Sequence, residues 1–442
     1  MVVTDGTFLT GTVVTERAGK VDQVEWGRRG SVSRIQFVRR WRRSTLFAVG
    51  GGNVAVLLLG VLSGAIASRV LGPTLRGELV VAQTWAGTVS VVLTLGVTQA
   101  VVTYAGSDDE LPRPLLLQSG VAFTVGFGTF TVLAVSGTQK WINWYGIFGG
   151  AALTAGSLIS SNSAGLAQRY GRMTREFQRV RLIPQALGLV AAVCLWLAGI
   201  RATNVWLITL GLAILVPSCV IMISLLGGRQ ALKAARTWLP SRLLVRRAAS
   251  AFVLVVGSTV IYRIDSLFVA AWLPSEEVAL YAVAVAAAGA CATVGQAVGM
   301  IVFSELRGII DRKQQRAVIC RGTARALVAT SVVAIPLFLV APRAIQIVYG
   351  AAFVPAAGAT RLLVVASVPL AADYLLVHAL LVTGAGRRVF HVQTFAVLLT
   401  VALLMAALPS GKIVLVALVS VSVYIVSAVL LFAAAMRGTA TP

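Results

Sequence analysis

The sequence predicts an all-α polytopic membrane protein with twelve transmembrane helices. Of its 442 residues 58% are hydrophobic and only 12% are charged, whereas soluble domains carry about 25% charged residues. The chain is also strongly basic, with 38 Lys and Arg against 15 Asp and Glu. A basic soluble protein would suggest nucleic acid as its partner. No nucleic acid is expected here, because a soluble protein could not bury so much apolar surface.

Twelve stretches meet or approach the length that a membrane-spanning helix needs, which is about 20 mostly apolar residues. Ten of them contain no Asp, Glu, Lys or Arg, whereas the seventh and tenth contain charge. Continuous apolar runs favour helices over a β-barrel, whose strands alternate in polarity. In chain order, the predicted spans are 46–68, 79–107, 114–139, 141–168, 182–200, 202–228, 248–273, 278–304, 326–342, 362–382, 389–411 and 413–436.

The basic residues predict the orientation of these spans. If the N-terminus is cytoplasmic, thirty of the 38 Lys and Arg lie on the inner side and seven on the outer side. Basic residues favour cytoplasmic loops, so both termini are expected in the cytoplasm. The predicted organisation is a basic tail (1–45), a six-helix lobe (46–226), a cytoplasmic linker (227–247) and a second six-helix lobe (248–436). Residues 31–47 fit either a basic interfacial helix or a disordered tail.

The two halves resemble each other at one turn. Leu71, Gly72 and Pro73 follow span 1, and Leu273 and Pro274 follow span 7 at an offset of 202 residues. In both places a helix start comes next. Because each half has six spans, the axis that relates them should run along the membrane normal, as in transporters whose substrate lies between two repeats.

Several short motifs carry a family resemblance over residues 46–436. Arg69, Gly72-Pro73 and Arg76-Gly77-Glu78 follow span 1, and Asp265-Ser-Leu-Phe lies in span 7. Further motifs are Tyr281-Ala-Val-Ala in span 8, Tyr349-Gly350 with Phe353 and Pro355 before span 10, and Thr383-Gly384 with Arg387 after it. In their order and spacing these residues resemble the Wzx-type polysaccharide and oligosaccharide flippases of the multidrug/oligosaccharidyl-lipid/polysaccharide exporter superfamily.

The resemblance implies two lobes around a central cavity lined by spans 1, 2, 7 and 8. It implies alternating access that moves an undecaprenyl-diphosphate-linked oligosaccharide to the outer leaflet of a bacterial cytoplasmic membrane. Membrane lipids, a polysaccharide polymerase and glycosyltransferases are the partners expected besides that substrate. A lipid II-type flippase is an alternative, although such proteins usually have fourteen spans. A multidrug or cation antiporter is another, although spans 1–6 contain no internal carboxylate.

An enzyme is not expected, because membrane enzymes that handle such lipids usually need an outer loop with catalytic side chains. The outer connections here are short, and the longest, 342–361, contains no Asp or Glu. The chain also lacks a G-x-x-x-x-G-K-[ST] phosphate-binding loop. No cofactor, metal site or catalytic residue is therefore expected.

Polar residues follow helical spacing in the first two spans. Asn53 lies in span 1, and Gln83, Ser90 and Thr94 form a stripe in span 2. This pattern predicts either a cavity wall for sugar hydroxyls and phosphate oxygens or a surface for helix packing. The glycine pairs Gly60 with Gly64 and Gly295 with Gly299 favour close packing between helices.

Basic side chains within and beside the spans are candidates for binding phosphate. Arg263 in span 7 could hold a diphosphate in a bidentate manner, and its neighbour Tyr262 is a further candidate contact. The alternatives for Arg263 are a structural ion pair or a reach to the outer headgroups. Arg69, Arg76 and Arg361 are expected together at the outer mouth, where they would contact phosphate or lipid headgroups.

Two acidic residues within spans are candidates for coupling transport to an ion gradient. Asp265 in span 7 and Asp373 in span 10 could each take up H⁺ or Na⁺, because a carboxylate at low dielectric responds to protonation. Arg263 and Asp265 are two residues apart on a helix, so they are expected to face nearly opposite sides and not to pair with each other.

Overall fold

The computed structural model describes residues 15–17, 20–22, 31–102, 111–137, 139–170, 175–227, 242–306, 309 and 311–437. Side chains are described from residue 51 onward, apart from 247, 250–251, 253–262, 300 and 303–304. The chain divides into an N-terminal unit, Met1–Val49, and a larger unit, Gly50–Pro442. The side chain of Tyr262 and most of the predicted linker 227–247 lie outside the described part.

The N-terminal unit contains a short hairpin and the start of a long helix. Strands β1 (Thr15–Arg17) and β2 (Lys20–Asp22) pair antiparallel, with Thr15 opposite Asp22. Helix α1 (Ser31–Leu93) begins after them. The backbone over 31–47 is therefore helical, whereas its predicted place on lipid headgroups stays a prediction.

The described part of the larger unit is built from helices. After α1 they are α2 (Val97–Val102), α3 (Pro112–Val135), α4 (Trp144–Arg169), α5 (Glu176–Leu197), α6 (Thr203–Leu225), α7 (Arg242–Trp272), α8 (Ser275–Leu306), α9 (Arg312–Val348), α10 (Ala357–Val382), α11 (Gly386–Ala407) and α12 (Ile413–Met436). Short 3-10 helices at Ala351–Ala356 and Leu408–Ser410 precede α10 and α12.

Helix α1 bends at Gly72 into a first arm (51–71) and a second arm (73–93). Gly72 has φ 71° and ψ 177°, a backbone conformation that glycine adopts far more readily than other residues. Pro73 then opens the second arm, since proline fits the first turn of a helix. The matching break between α7 and α8 falls at Leu273 and Pro274. We call the end of the unit that holds both breaks the Gly72 end.

Nine helical stretches in the described part of the chain are long and apolar enough to cross a membrane. One of them, Gly51–Leu93, contains the bend at Gly72 and covers predicted spans 1 and 2. Helices α4 and α7, which correspond to predicted spans 4 and 7, are not among the nine. The chain is thus a helical multi-pass membrane protein, while the count of twelve spans and the two six-helix lobes stay predictions.

Helix α9 extends well beyond the predicted span 326–342. It includes Pro336 and Pro342 and ends at Val348, so much of the connection expected at 342–361 is helical. Arg69 contributes to this extension, because its Nε donates to the carbonyl oxygen of Val348 at 3.1 Å and its Nη2 contacts that of Ile347. Carbonyl groups at the end of a helix lack partners within the helix, and Arg69 supplies them.

The two predicted glycine pairs behave differently. A Cβ atom at Gly295 would overlap Ala371 of α10, and one at Gly299 would lie 3.1 Å from Cδ1 of Tyr374, so this pair does bring α8 and α10 together. A Cβ atom at Gly60 would have no neighbour within 4 Å, and one at Gly64 would have only Arg76 Nη2 at 3.7 Å. The expectation of close packing between helices is therefore wrong for Gly60 and Gly64, which face open space.

Candidate functional site

A cavity of about 560 Å³, the central cavity, lies inside the larger unit. Its walls come from the second arm of α1 and from α7, α8, α10 and α12. Two smaller cavities adjoin it. The α8 side cavity, of about 290 Å³, lies between the first arm of α1 and α8, and the α5 side cavity, of about 240 Å³, reaches α4, α5 and α6.

Four polar side chains stand where these cavities meet. Arg76 lines the central cavity and the α8 side cavity, and Gln83 and Arg263 line the central cavity and the α5 side cavity. Gln185 of α5 lines both side cavities. The three cavities therefore adjoin one another at two guanidinium and two amide groups.

The guanidinium groups of Arg76 and Arg263 are close to successive turns of the second arm of α1. Arg76 Nη1 lies 3.5 Å from Gln83 Oε1, and Arg263 Nη1 lies 3.0 Å from the position that a Cβ of Gly87 would occupy. Positions 83 and 87 are one turn apart, a rise of about 6 Å. Neither arginine has a carboxylate partner among the residues that the structure describes.

Asp265 also lines the central cavity, but its carboxylate is held by hydroxyl and amide donors. Tyr281 of α8 donates to Oδ2 at 2.6 Å, and Ser420 of α12 donates to the same oxygen at 3.0 Å. The backbone N–H of Ser266 donates to Oδ1 at 2.6 Å. Asp265 is 5% exposed and joins three helices, while Arg263 turns toward α1, so the two side chains diverge.

Asp373 lies in a second buried site, between α10, α11 and α12. It is fully buried; Gln393 Nε2 lies 3.3 Å from Oδ2, and Ser427 Oγ donates to Oδ1. Gln393 Oε1 is buried without a hydrogen-bond partner in the described part of the chain. Asp373 is not among the lining residues of the three cavities. For both aspartates, ion coupling stays a prediction.

Three predicted substrate contacts in spans 1 and 2 do not line the described cavities. Asn53 Oδ1 accepts a hydrogen bond from Arg181 of α5. Ser90 and Thr94 are 3% and 8% exposed, and Thr94 Oγ1 donates to the carbonyl oxygen of Val91 at 2.7 Å. Of the polar stripe of span 2, Gln83 therefore lines the cavities, whereas Ser90 and Thr94 are buried in the packing between helices.

The three arginines expected at one outer mouth occupy different surroundings. Arg76 faces the cavities, whereas Arg69 caps the end of α9. Arg361 donates to the carbonyl oxygen of Phe338 at 3.2 Å and lies over the ring of the same residue. The expected cluster does not form, because two of the three side chains are bound by the backbone of α9.

Sequence reasoning missed several polar residues of the cavity. Gln296 and Tyr374 line the central cavity and Gln185 lines both side cavities, and none of the three was singled out. The signal was present, since an amide inside an otherwise apolar span is rare and marks function by default. In the described part of the chain, no three His, Cys, Asp or Glu residues come together as a metal site would require.

Comparison with solved structures shows the fold. A structure described as the lipid II flippase MurJ in an inward closed conformation matches with a TM-score of 0.68 and 12% identity, over 89% of this chain and 87% of that chain. An inward-facing multidrug resistance MATE family transporter of the MOP superfamily matches with a TM-score of 0.62 and 13% identity, over 88% and 97%. A MOP superfamily transporter from Pyrococcus furiosus matches with a TM-score of 0.51 and 14% identity, over 89% and 95%.

These matches show that the chain has the same fold as these transporters, which is the fold that the family resemblance implies. No protein-family model and no curated protein matches the chain. The narrower Wzx-type resemblance therefore rests on the sequence motifs.

Proposed function

We propose that the protein is an alternating-access flippase, and not an enzyme, which moves an undecaprenyl-diphosphate-linked oligosaccharide from the inner to the outer leaflet. The observation that carries this proposal is the pair formed by Arg76 and Arg263. Both arginines line the central cavity, and neither has a carboxylate partner among the described residues. Charges inside a membrane protein are costly and mark a function by default.

A diphosphate matches the chemistry of this pair. A guanidinium presents planar donors that bind two phosphate oxygens at once, and such charge-assisted hydrogen bonds are the strong ones. Arg76 contacts position 83 and Arg263 lies against position 87, about 6 Å apart along the helix. Two linked phosphoryl groups could therefore reach both side chains, whereas a single phosphate would favour one of them.

The size of the cavity suits a head group of several rings. The central cavity measures about 560 Å³, within the range of about 300–1,000 Å³ that is usual for binding pockets. The α8 side cavity adds apolar wall through Val56, Leu57 and Val61. Sugars and diphosphate would occupy the cavities while the polyprenyl tail stays in lipid.

Because the sequence has no phosphate-binding loop, transport would rest on an ion gradient, the membrane potential or downstream consumption of the substrate. We propose an ion gradient, with Asp265 and Asp373 as the coupling groups. Asp265 is the better placed of the two, since it lines the central cavity and also joins α7, α8 and α12. The Asp265→Asn variant keeps the size of the side chain and removes its charge. We expect it to bind substrate normally but to lose the response of transport to an imposed H⁺ or Na⁺ gradient; an unchanged response would contradict coupling at Asp265.

A lipid II-type flippase is the second candidate, favoured by the match to the MurJ fold. Lipid II also carries an undecaprenyl diphosphate, so the arginine pair suits both substrates. A cation exporter is disfavoured, because the two described guanidinium groups would repel a cationic substrate in the same cavity. For either flippase the proposed location is a bacterial cytoplasmic membrane with both termini in the cytoplasm, and the proposed partners are membrane lipids, a polymerase and glycosyltransferases.

The test is a flipping assay with purified protein in vesicles that contain either undecaprenyl-diphosphate oligosaccharide or lipid II. We expect flipping of the oligosaccharide lipid, a strong loss in Arg263→Ala, and normal activity in Arg201→Ala, which removes an exposed arginine between α5 and α6. Flipping of lipid II alone would replace the proposal by the second candidate. Normal flipping by Arg263→Ala would contradict the phosphate-binding role.

A further inference from the structure

The part of the central cavity farthest from the Gly72 end contains polar groups of a different kind. Gln296 of α8 and Tyr374 of α10 line it there. Gln296 is 21 residues from Ser275, about 30 Å along α8 from the Gly72 end. Arg263 is nine residues from the end of α7 at Trp272, about 14 Å from the same end. We call the part of the cavity at Arg76 and Arg263 the cationic tier. The part at Gln296 and Tyr374, farther from the Gly72 end, is the neutral tier.

Close helix packing fixes the neutral tier. Gly295, next to Gln296, lies against Ala371, and Gly299 lies against the ring of Tyr374. The Tyr374 ring also packs on His378, with ring centroids 4.2 Å apart and planes at 36°. His378 is held in turn by a contact of 2.8 Å between its Nδ1 and the carbonyl oxygen of Tyr374. The tyrosine ring is therefore held in position beside the glutamine amide.

The polar atoms of this tier are available to a ligand. Neither the Gln296 amide nor the Tyr374 hydroxyl has a hydrogen-bond partner in the described part of the chain. An amide offers two N–H donors and an oxygen acceptor, and a phenol both donates and accepts. The hydroxyl groups of a sugar ring, which also both donate and accept, match these polar atoms.

We infer that Gln296 and Tyr374 form a subsite that recognises the saccharide of the substrate, separate from the arginine pair that holds its diphosphate. The inference rests on the proposed function and adds to it the residues that contact the saccharide and the absence of charge on that saccharide. The two described members of the neutral tier carry no charge, so they suit an uncharged saccharide. In a substrate that extends from lipid through diphosphate to sugar, the sugar would lie deepest from the Gly72 end.

Two probe lipids separate the tiers in a binding assay with the full-length protein in nanodiscs: undecaprenyl diphosphate, and the same lipid with a neutral trisaccharide. We expect wild-type protein to bind the trisaccharide lipid at least tenfold more tightly. Gln296→Leu and Tyr374→Phe should each lose most of this preference and bind the bare lipid as wild type does. Gln314→Leu and Tyr145→Phe, which change exposed residues, should keep it.

Equal affinity of wild-type protein for the two lipids would overturn the subsite while leaving the arginine pair intact. The same conclusion would follow if the Gln296→Leu and Tyr374→Phe variants, with unfolding temperatures matched to wild type, kept the full preference for the trisaccharide. Failure of wild-type protein to bind either lipid would contradict the proposed function, and the subsite with it.

Discussion

Arg76 and Arg263 differ from Asp265 and Asp373 in the hydrogen bonds that they make within the protein. Asp265 receives hydrogen bonds from Tyr281, Ser420 and Ser266, and Asp373 is contacted by two polar side chains of neighbouring helices. Arg76 has one long contact, to Gln83, and Arg263 has no described partner. The acids are satisfied by the protein itself, whereas the cations face open space.

This difference leads us to expect that the arginines bind a ligand and that the aspartates stabilise the helix packing. A guanidinium inside a membrane protein is costly and binds anions through its N–H groups, so these two arginines offer a site that an anionic ligand can occupy. The aspartates tie helices of the second half together, and their loss should disturb that half. Substitution of the arginines should therefore lower substrate binding and transport. Substitution of the aspartates should lower the stability of the fold and the coupling to an ion gradient.

The largest effect is expected when both arginines are removed. Each hydrogen bond to a charged group contributes about 1.5–3 kcal/mol, so Arg76→Ala combined with Arg263→Ala should lower affinity for undecaprenyl diphosphate by about 100-fold or more. Isothermal titration in nanodiscs would measure the change, with Arg201→Ala as the control. If the affinity of the double variant for undecaprenyl diphosphate stayed within threefold of wild type, the two arginines would not be the groups that bind the diphosphate.

Removal of the Asp265 carboxylate should give the next largest effect, and it should fall on stability. In Asp265→Leu the hydroxyl group of Tyr281 loses its acceptor, and that of Ser420 keeps only a long contact of 3.4 Å to the carbonyl oxygen of Val416. A buried polar group left without a partner costs about 1–3 kcal/mol. We expect a loss of about 2–4 kcal/mol in the free energy of unfolding in detergent micelles. Glu276→Gln, at an exposed position of α8, is the control. Unchanged stability would show that the hydrogen bonds around Asp265 do not hold the helices together.

Tyr281→Phe sharpens the same point with a smaller change. It removes one donor to Asp265 and keeps the buried ring, so a loss of about 1 kcal/mol in the free energy of unfolding is expected. Affinity for undecaprenyl diphosphate should stay within twofold of wild type. A large loss of affinity with normal stability would show that Tyr281 contacts the ligand and does not serve mainly to hold Asp265.

The smallest effect on binding is expected at the arginines that already have partners. Arg69→Gln and Arg361→Gln remove hydrogen bonds to the backbone of α9, which contribute about 0.5–1.5 kcal/mol each to stability. Their affinity for undecaprenyl diphosphate should equal that of wild type in the same titration. A tenfold loss in either variant would show that the ligand contacts the end of α9.

Much of the fold was accessible from the sequence because apolar runs and Gly-Pro breaks act locally. The break at Gly72 was predicted from the residues around it, and the region of Arg263 was singled out because charge is rare in such spans. The extent of α9 was not predictable in this way. Carbonyl groups of its last turn are bound by Arg69, which is 279 residues from Val348 in the chain.

The site was predicted only in part because spacing along one helix does not say which neighbour covers it. Gln83 and Thr94 belong to the same stripe, but the helix ends at Leu93 and Thr94 bonds back to its own backbone. Gln185 and Gln296 belong to no motif, and they matter because packing places each of them on a cavity that Arg263 also lines.

The central claim is that Arg76 and Arg263 together hold a diphosphate. The most direct measurement compares affinities for undecaprenyl diphosphate and undecaprenyl monophosphate in wild-type protein and in Arg263→Gln. Wild-type protein should prefer the diphosphate by about tenfold or more, and Arg263→Gln should lose that preference while keeping the affinity for the monophosphate. An equal preference for the diphosphate in both proteins would contradict the claim.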